Sequence, residues 1–311
     1  MTTTQPDQPS VVVRDQAVPA AGEARHEGPP VVIPAAGAGE QGEPAAQLAA
    51  LLGAGGLRLE LSGRRLDVVL TRPDRRNAQT PSTWRALAAA GAWAVEVADV
   101  VVVRGEPPTF SAGLDRRAFT PEGLPGEPGL FQLALAADAV VDADIAEFQK
   151  GFTCWRDGPF VSIAAVQGHA VGAGFQLALA CDLVVAADDA SFAMREPALG
   201  LVPDLAGTWP LVHQLGYARA LELCATGRWV GAEEGHALGF VQHVVPTARL
   251  GAAVDELVAA ILANPQPAVR ATKALLREAA CRTPAEQQAA ERRAQIGRLR
   301  AMASGALGTN H

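Results

Sequence analysis

SIAAVQGHAVGAGFQLALACDLVVAADDASFAMREPALGLVPDLAGTW, residues 162–209, decides how this chain is read. Val161 to Val166 is β-branched and apolar, the pattern of a buried strand. Glycines at 168, 172 and 174 mark a turn, and Phe175 to Cys181 continues as a helix-like apolar run. Glycine lacks Cβ and tolerates positive φ, so backbone there can approach another group closely. The start of the following helix leaves N–H groups without partners. Downstream, Glu196 and Asp204 bracket the segment EPALGLVPD. Free donors followed by two carboxylates suit chemistry in which negative charge builds on an oxygen.

Working outward, Leu57–Leu61 and Leu66–Leu70 read as a hairpin turning at Ser62-Gly63. RPDRRNAQT is a turn. Pro81 opens a helix to about 97. Residues 99–104 (DVVVVR) form a buried strand, followed by the turn EPPTFSAGLD, a Gly/Pro loop at 121–130 and a helix over 138–155. Beyond the central stretch come helical segments near 207–215 and 217–226, a short strand over 239–245, and three helices over 249–303 punctuated by Pro265, Pro267 and Pro284. Strands alternating with helices give an α/β class. Three regions are expected. Residues 1–55 form a disordered tail rich in Pro, Ala and Gly, with a short helix at AAQLAALLGAGG; a partner-docking arm or lid is the functional alternative. Residues 56–248 form the core, and 249–311 a helical region.

The net charge is −7 and the basic residues form no long run, which argues against a nucleic-acid partner. A local arginine cluster still suits a phosphate-bearing small molecule. The four cysteines form no CxxC pair and show no zinc spacing, so they read as structural thiols of a reducing cytoplasm. Apolar runs stop well short of the ~20 residues a membrane span needs. The first residues lack a basic region followed by an apolar one, so no secretory signal is expected.

GHAVGAG (168–174) after a strand and before a helix also describes a dinucleotide-binding turn. Its place past the middle of the chain counts against that. So does the missing Tyr-x-x-x-Lys pair: Tyr217 is followed four residues later by Leu221. FSAGLD (110–115) lies just after a strand and presents another backbone N–H. Two such groups from separate loops, converging on one oxygen, make an oxyanion hole.

FSAGLD and AAVQGHAVGAGFQLALACDL together resemble the crotonase superfamily, the enoyl-CoA hydratase/isomerase family. RPDRRNA (72–78) resembles its early CoA-binding turn, and ATGRWVGAEEGHALGFVQHVV (225–245) a later segment; the likeness spans about 57–300. The resemblance implies a crotonase-like spiral of ββα turns with a C-terminal helical region. It implies an acyl-CoA substrate, with CoA as part of the substrate and no separate cofactor or metal. It implies that the N–H groups of Leu114 and Ala173 hold the thioester oxygen. It places Arg76, Ala78, Ala112, Asp115, Arg116, Gly172 and Gln176 along the CoA ester. A homotrimer or dimer of trimers is usual for the family.

Hydratases of the family carry two glutamates. Gln176 stands at the first position, and an amide cannot act as general base; it is expected to orient water or a substrate group. Glu196 occupies the second. Asp204, eight residues on, resembles the carboxylate of members that shift double bonds or hydrolyse hydroxyacyl-CoA. A dehalogenase branch has Trp in place of Glu196. One carboxylate suffices for isomerisation, and two near one pocket push their proton affinities apart. The structural alternative is that either caps a helix or pairs with an arginine.

Arg75, Arg76, Arg116 and Arg117 suit CoA phosphate or a solvated turn equally well. His169, Trp155 and Trp209 read as packing, and Lys273 as helix surface or a reach to CoA phosphate. The expected activity is double-bond isomerisation of an enoyl-CoA, with hydratase activity alongside. The alternatives are a hydroxyacyl-CoA thioester hydrolase and an acyl-CoA-binding subunit with little turnover.

Overall fold

The structure, a computed structural model, describes residues 31–33 and 43–308, apart from positions 121, 125 and 128. Strand β1 (Val31–Ile33) is followed by helix α1 (Glu43–Gly55) and the hairpin β2 (Leu57–Ser62) and β3 (Arg65–Leu70). Then come α2 (Pro81–Val97), β4 (Val100–Gly105), α3 (Leu130–Ala134), α4 (Asp138–Asp157) and β5 (Val161–Val166). The decisive stretch supplies β6 (His169–Val171), α5 (Ala173–Ala180), β7 (Leu183–Ala187) and β8 (Ser191–Ala193). After it lie α6 (Thr208–Leu215), α7 (Tyr217–Thr226), β9 (Val230–Gly231), α8 (Ala232–Leu238) and β10 (His243–Val245). Helices α9 (Leu250–Leu262), α10 (Gln266–Ala279) and α11 (Pro284–Gly308) follow.

Seven strands form one sheet in the order β1-β2-β3-β4-β5-β7-β10, antiparallel up to β3 and parallel from there. A small sheet, β6-β8-β9, stands beside it. Each repeat gives one strand to the large sheet, one short extended piece to the small layer, then a helix; β5, β6 and α5 make one such turn. In the preceding repeat the second piece shrinks to single bridges, Ser111 with Ala170 and Leu114 with Gln79. This is the spiral of ββα turns expected from the sequence.

The central strand β4 is VVVVRG because both its faces are covered. Val101 and Val103 join the core shared with Trp84, Phe148 and Phe175. Val100 and Val102 pack under Leu250, Val254 and Val258 of α9. Each such aliphatic side chain, fully buried, contributes about 1.5–3 kcal/mol. Helix α2 begins where it does because Thr80 caps it in a box with Thr83 and Pro81 takes its first turn.

One expectation is met and one needs correction. The short helix expected at AAQLAALLGAGG is α1, which packs against α2 with Leu52 fully buried, and ahead of it β1 pairs with β2. An Ala/Leu-rich amphipathic segment gains stability from such a partner, which composition does not reveal. The rest of the proposed tail, 1–30 and 34–42, lies outside the described residues. The strand expected over 239–245 covers only β10, because Gly239 ends α8 in the left-handed conformation (φ 100°). Strands β6, β8 and β9 have two or three residues each, too few for a period to show.

Candidate active site

The oxyanion turn is stitched to both neighbouring layers. Phe110 and Ser111 donate to the carbonyls of Gln167 (2.8 Å) and His169 (2.9 Å); Ala112 donates to Arg76 (2.9 Å) and Asp115 to Gln79 (2.8 Å). Gly113 N–H reaches Ser111 Oγ at 3.2 Å. Along 110–115, the Leu114 N–H alone has no acceptor among the described residues. Gly113 (φ 81°) brings this turn onto the start of α5. A methyl there would sit 2.3 Å from the Val171 carbonyl oxygen and 3.4 Å from the Ala173 nitrogen. The Ala173 N–H opens α5 and is likewise without an acceptor. Leu114 and Ala173 both line a cavity of about 1650 Å³.

Glu196 stands next to this pair. Gly172 (φ 51°) makes room for it: a methyl there would lie 3.1 Å from Glu196 Oε1. The residue is 9% exposed. Its Oε1 accepts from Gln176 Nε2 at 2.7 Å, while Oε2 is buried with no partner. Burial pushes its carboxyl above the ordinary range, and the charge of Asp204 adds to the rise. Asp204 also lines the cavity, and the crowding walls raise its carboxyl too. The Asp204 backbone is held from α4, where Gln149 Nε2 donates to its carbonyl at 2.7 Å.

Gln176, expected to orient water or a substrate group, lies behind the cavity rather than in its lining. It is 1% exposed. Its amide oxygen accepts from Leu205 N (3.0 Å) and Gly207 N (3.2 Å), and its nitrogen donates to Glu196. An amide can donate to a carboxylate and accept from two N–H groups at once. Gln176 therefore ties Glu196 to the loop carrying Asp204.

Asp115 borders the cavity but is spent on structure. Arg117 hydrogen-bonds it through Nη2 (2.8 Å), Nε (3.1 Å) and backbone N (3.2 Å), and Arg72 Nη2 adds a bond at 2.9 Å. These bonds, Arg117 first, hold its carboxyl far below the usual range. Arg76 and Arg116, by contrast, are exposed on the rim with Ala78 and Ala112 beside them. Lys273 is turned inward: its Nζ bonds the Phe160 carbonyl (2.6 Å) and Asp182 (2.7 Å). Trp209 is 43% exposed rather than core, stacked on His213 with Arg156 over its ring. His169 meets Trp229 edge-on at the cavity wall.

Several site residues escaped sequence reading. Asn77 sits at φ 52°, a conformation Asn tolerates, and fastens the turn by donating to Glu106 O (2.8 Å) and Thr109 O (2.7 Å). RRNA carried that signal as a turn residue. Trp84, Val141, Ile145 and Phe148 also line the cavity, brought in by helices far away in sequence.

The chain belongs to the enoyl-CoA hydratase/isomerase family, whose family model matches residues 66–298. It is 30% identical over 238 residues to a probable enoyl-CoA hydratase of Rhodobacter capsulatus, covering 71% of this chain and 87% of that protein. Among solved structures it is similar to a "putative enoyl-CoA hydratase" of Thermobifida fusca YX, at 48% identity and a TM-score of 0.78 over 82% of this chain and 96% of that one. The same Thermobifida protein in complex with acetoacetyl-CoA aligns at 48% identity and a TM-score of 0.78, over 81% of this chain and 98% of that one. Among the described residues no helix is long and apolar enough to cross a membrane, and no cluster of His, Cys, Asp and Glu suits a metal.

Proposed function

We propose that the protein moves a double bond along an acyl-CoA thioester through an enolate. The observation that carries this is Glu196, whose Oε2 is buried with no partner among the described residues and which lines the same cavity as Leu114 and Ala173. With a 3-enoyl ester, the ionised carboxylate takes a proton from C2. The C–H electron pair moves toward the carbonyl, and its charge comes to rest on the thioester oxygen between the two N–H groups. A proton is returned at C4, the carbonyl re-forms, and the double bond ends between C2 and C3. No water is consumed. Scarce solvation raises the basicity of Glu196 and suits it to this work. Asp204, electrostatically coupled to it, serves as its partner in proton transfer. Arg76 and Arg116 on the rim suit the phosphates of CoA. The acetoacetyl-CoA complex of the Thermobifida relative supports the thioester class.

Hydration is the second reading, favoured by the names of the relatives. It needs a positioned water and two proton-handling groups, and the Gln176 amide is already committed to three partners.

The test is a panel of 2-enoyl, 3-enoyl and 3-hydroxyacyl-CoA esters in heavy water, following deuterium uptake, ultraviolet conjugation and free thiol together. Conjugation of the 3-enoyl ester with deuterium uptake and no thiol is expected. Hydration of the 2-enoyl ester without isomerisation would replace the proposal with the second reading. Thiol release would mark a hydrolase, and binding without exchange a non-catalytic acyl-CoA-binding subunit.

A further inference from the structure

We infer that Gln79 is a positioning residue that sets the two oxyanion donors, acting through the Ser111 hydroxyl. This rests on the enolate reading above and names what holds its donor pair in place. Gln79 lies in the turn ahead of α2 and is fully buried. Its amide nitrogen donates to Ser111 Oγ at 3.0 Å, and its amide oxygen accepts from Trp84 Nε1 at 2.9 Å. A buried indole N–H needs one acceptor, and the amide oxygen supplies it. The other end of the amide reaches into the oxyanion turn.

The two donor-bearing segments meet at Ser111. Its hydroxyl donates to the Asn77 carbonyl (2.8 Å) and accepts from Gly113 N–H (3.2 Å) and from Gln79. One hydrogen and two lone pairs are the whole capacity of a hydroxyl, so this one cannot turn without breaking a bond. The Ser111 carbonyl accepts from Val171 N–H at 3.0 Å, two residues before Ala173. Gly174, just after Ala173, packs on the same group: a methyl there would lie 2.5 Å from the Ser111 carbonyl oxygen. Ser111 thus holds the chain on one side of Leu114 and on both sides of Ala173. The backbone of Gln79 aims the first donor. Its N–H bonds the Gly113 carbonyl at 2.7 Å, and its carbonyl accepts from Asp115 N–H at 2.8 Å. The Gly113 carbonyl and the Leu114 N–H belong to one trans peptide and point opposite ways. Bonding that carbonyl to Gln79 turns the Leu114 N–H away from Gln79 and polarises it.

The experiment is an ultraviolet titration of acetoacetyl-CoA bound to the full chain. This ester loses a proton between its two carbonyls, and the enolate absorbs at longer wavelength than the diketo form. Donors set on the thioester oxygen favour the enolate, so its midpoint on the protein falls below that in water. The Glu196 and Asp204 carboxyls are common to every variant, so differences between variants report the donors. Gln79→Met keeps the length of the side chain and removes both polar ends. It is expected to raise the bound midpoint by about one unit, a tenfold loss of enolate stabilisation. It should also lower kcat on a 3-enoyl ester about tenfold, with KM changed by less than about twofold. Ser111→Ala should shift the midpoint the same way. The double variant should shift it no further than the larger single change, because both act through one hydroxyl. A folded Gln79→Met or Ser111→Ala protein with the wild-type midpoint, whatever its melting temperature, would overturn the assignment, and so would single shifts that simply add. If the wild-type protein binds acetoacetyl-CoA without lowering its midpoint, the enolate reading itself fails and the assignment goes with it.

Discussion

Glu60 and Glu196 are the same residue in opposite circumstances. Glu60 lies on the outer face of the large sheet, where Arg58, Arg65 and Arg104 interleave with Glu60, Asp67, Glu106 and Asp255 at 2.6–3.2 Å. Burial alone would raise its carboxyl, but the bond from Arg58 and the charge of Arg104 bring it below the ordinary value. Glu196 has burial without a cation, and its carboxyl rises. One face of the protein satisfies its charges completely; the cavity leaves one carboxylate oxygen and two backbone donors open. A folded chain tolerates that cost where it supports chemistry.

The contrast breaks first at Glu196. Glu196→Gln should lower isomerisation about a thousandfold, read as initial rates on a 3-enoyl ester, with CoA-ester binding kept. Retained activity would move the base to Asp204. Gly113→Ala should cost about a hundredfold in kcat, since its methyl would strike the Val171 carbonyl and misplace the Leu114 donor.

Gln176→Glu sharpens the comparison. It sets a second carboxylate against Glu196 Oε1, so one of the two must hold a proton. The pair's pKa rises in the folded state, and the stability tied to that proton is complete at low pH and lost as pH climbs through the raised value. The variant should therefore melt near the wild-type temperature at pH 5 and well below it at pH 8, by about 1–3 kcal/mol of lost stability. Its pH–rate profile should show the acidic limb displaced upward. Glu196→Gln should do the reverse: a higher melting temperature than wild type at pH 8, with the gain vanishing by pH 4. The smallest effect belongs to the sheet face. Arg58→Ala should cost about 0.2–1 kcal/mol, less in high salt, with kcat unchanged.

How much of this was legible in advance differs along the chain. The apolar runs of β4 and β5 and the helices from Pro81 and Asp138 follow from local pattern. Leu114 and Ala173 were legible through the resemblance of FSAGLD and GHAVGAG to the family, and Glu196 and Asp204 as the two carboxylates bracketing EPALGLVPD. The roles of Gln176, Asp115 and Lys273 were not. Each is a polar side chain whose type permits a ligand contact, and only its neighbours show that its bonding capacity is already used. The helix expected at AAQLAALLGAGG was legible, but its packing against α2 was not, since local pattern does not name the partner face.

The sequence by itself determined the α/β class, because glycine spacing and hydrophobic period act over a few residues; the spiral of ββα turns and the donor pair at Leu114 and Ala173 were what its resemblance to the family implied. The tertiary structure alone decided that Gln176 clamps Glu196 and that Trp84 of α2 packs on Phe148 of α4. Those outcomes depend on segments 20 to about 60 residues apart meeting in space, and no local pattern records which side chain a polar group will find there.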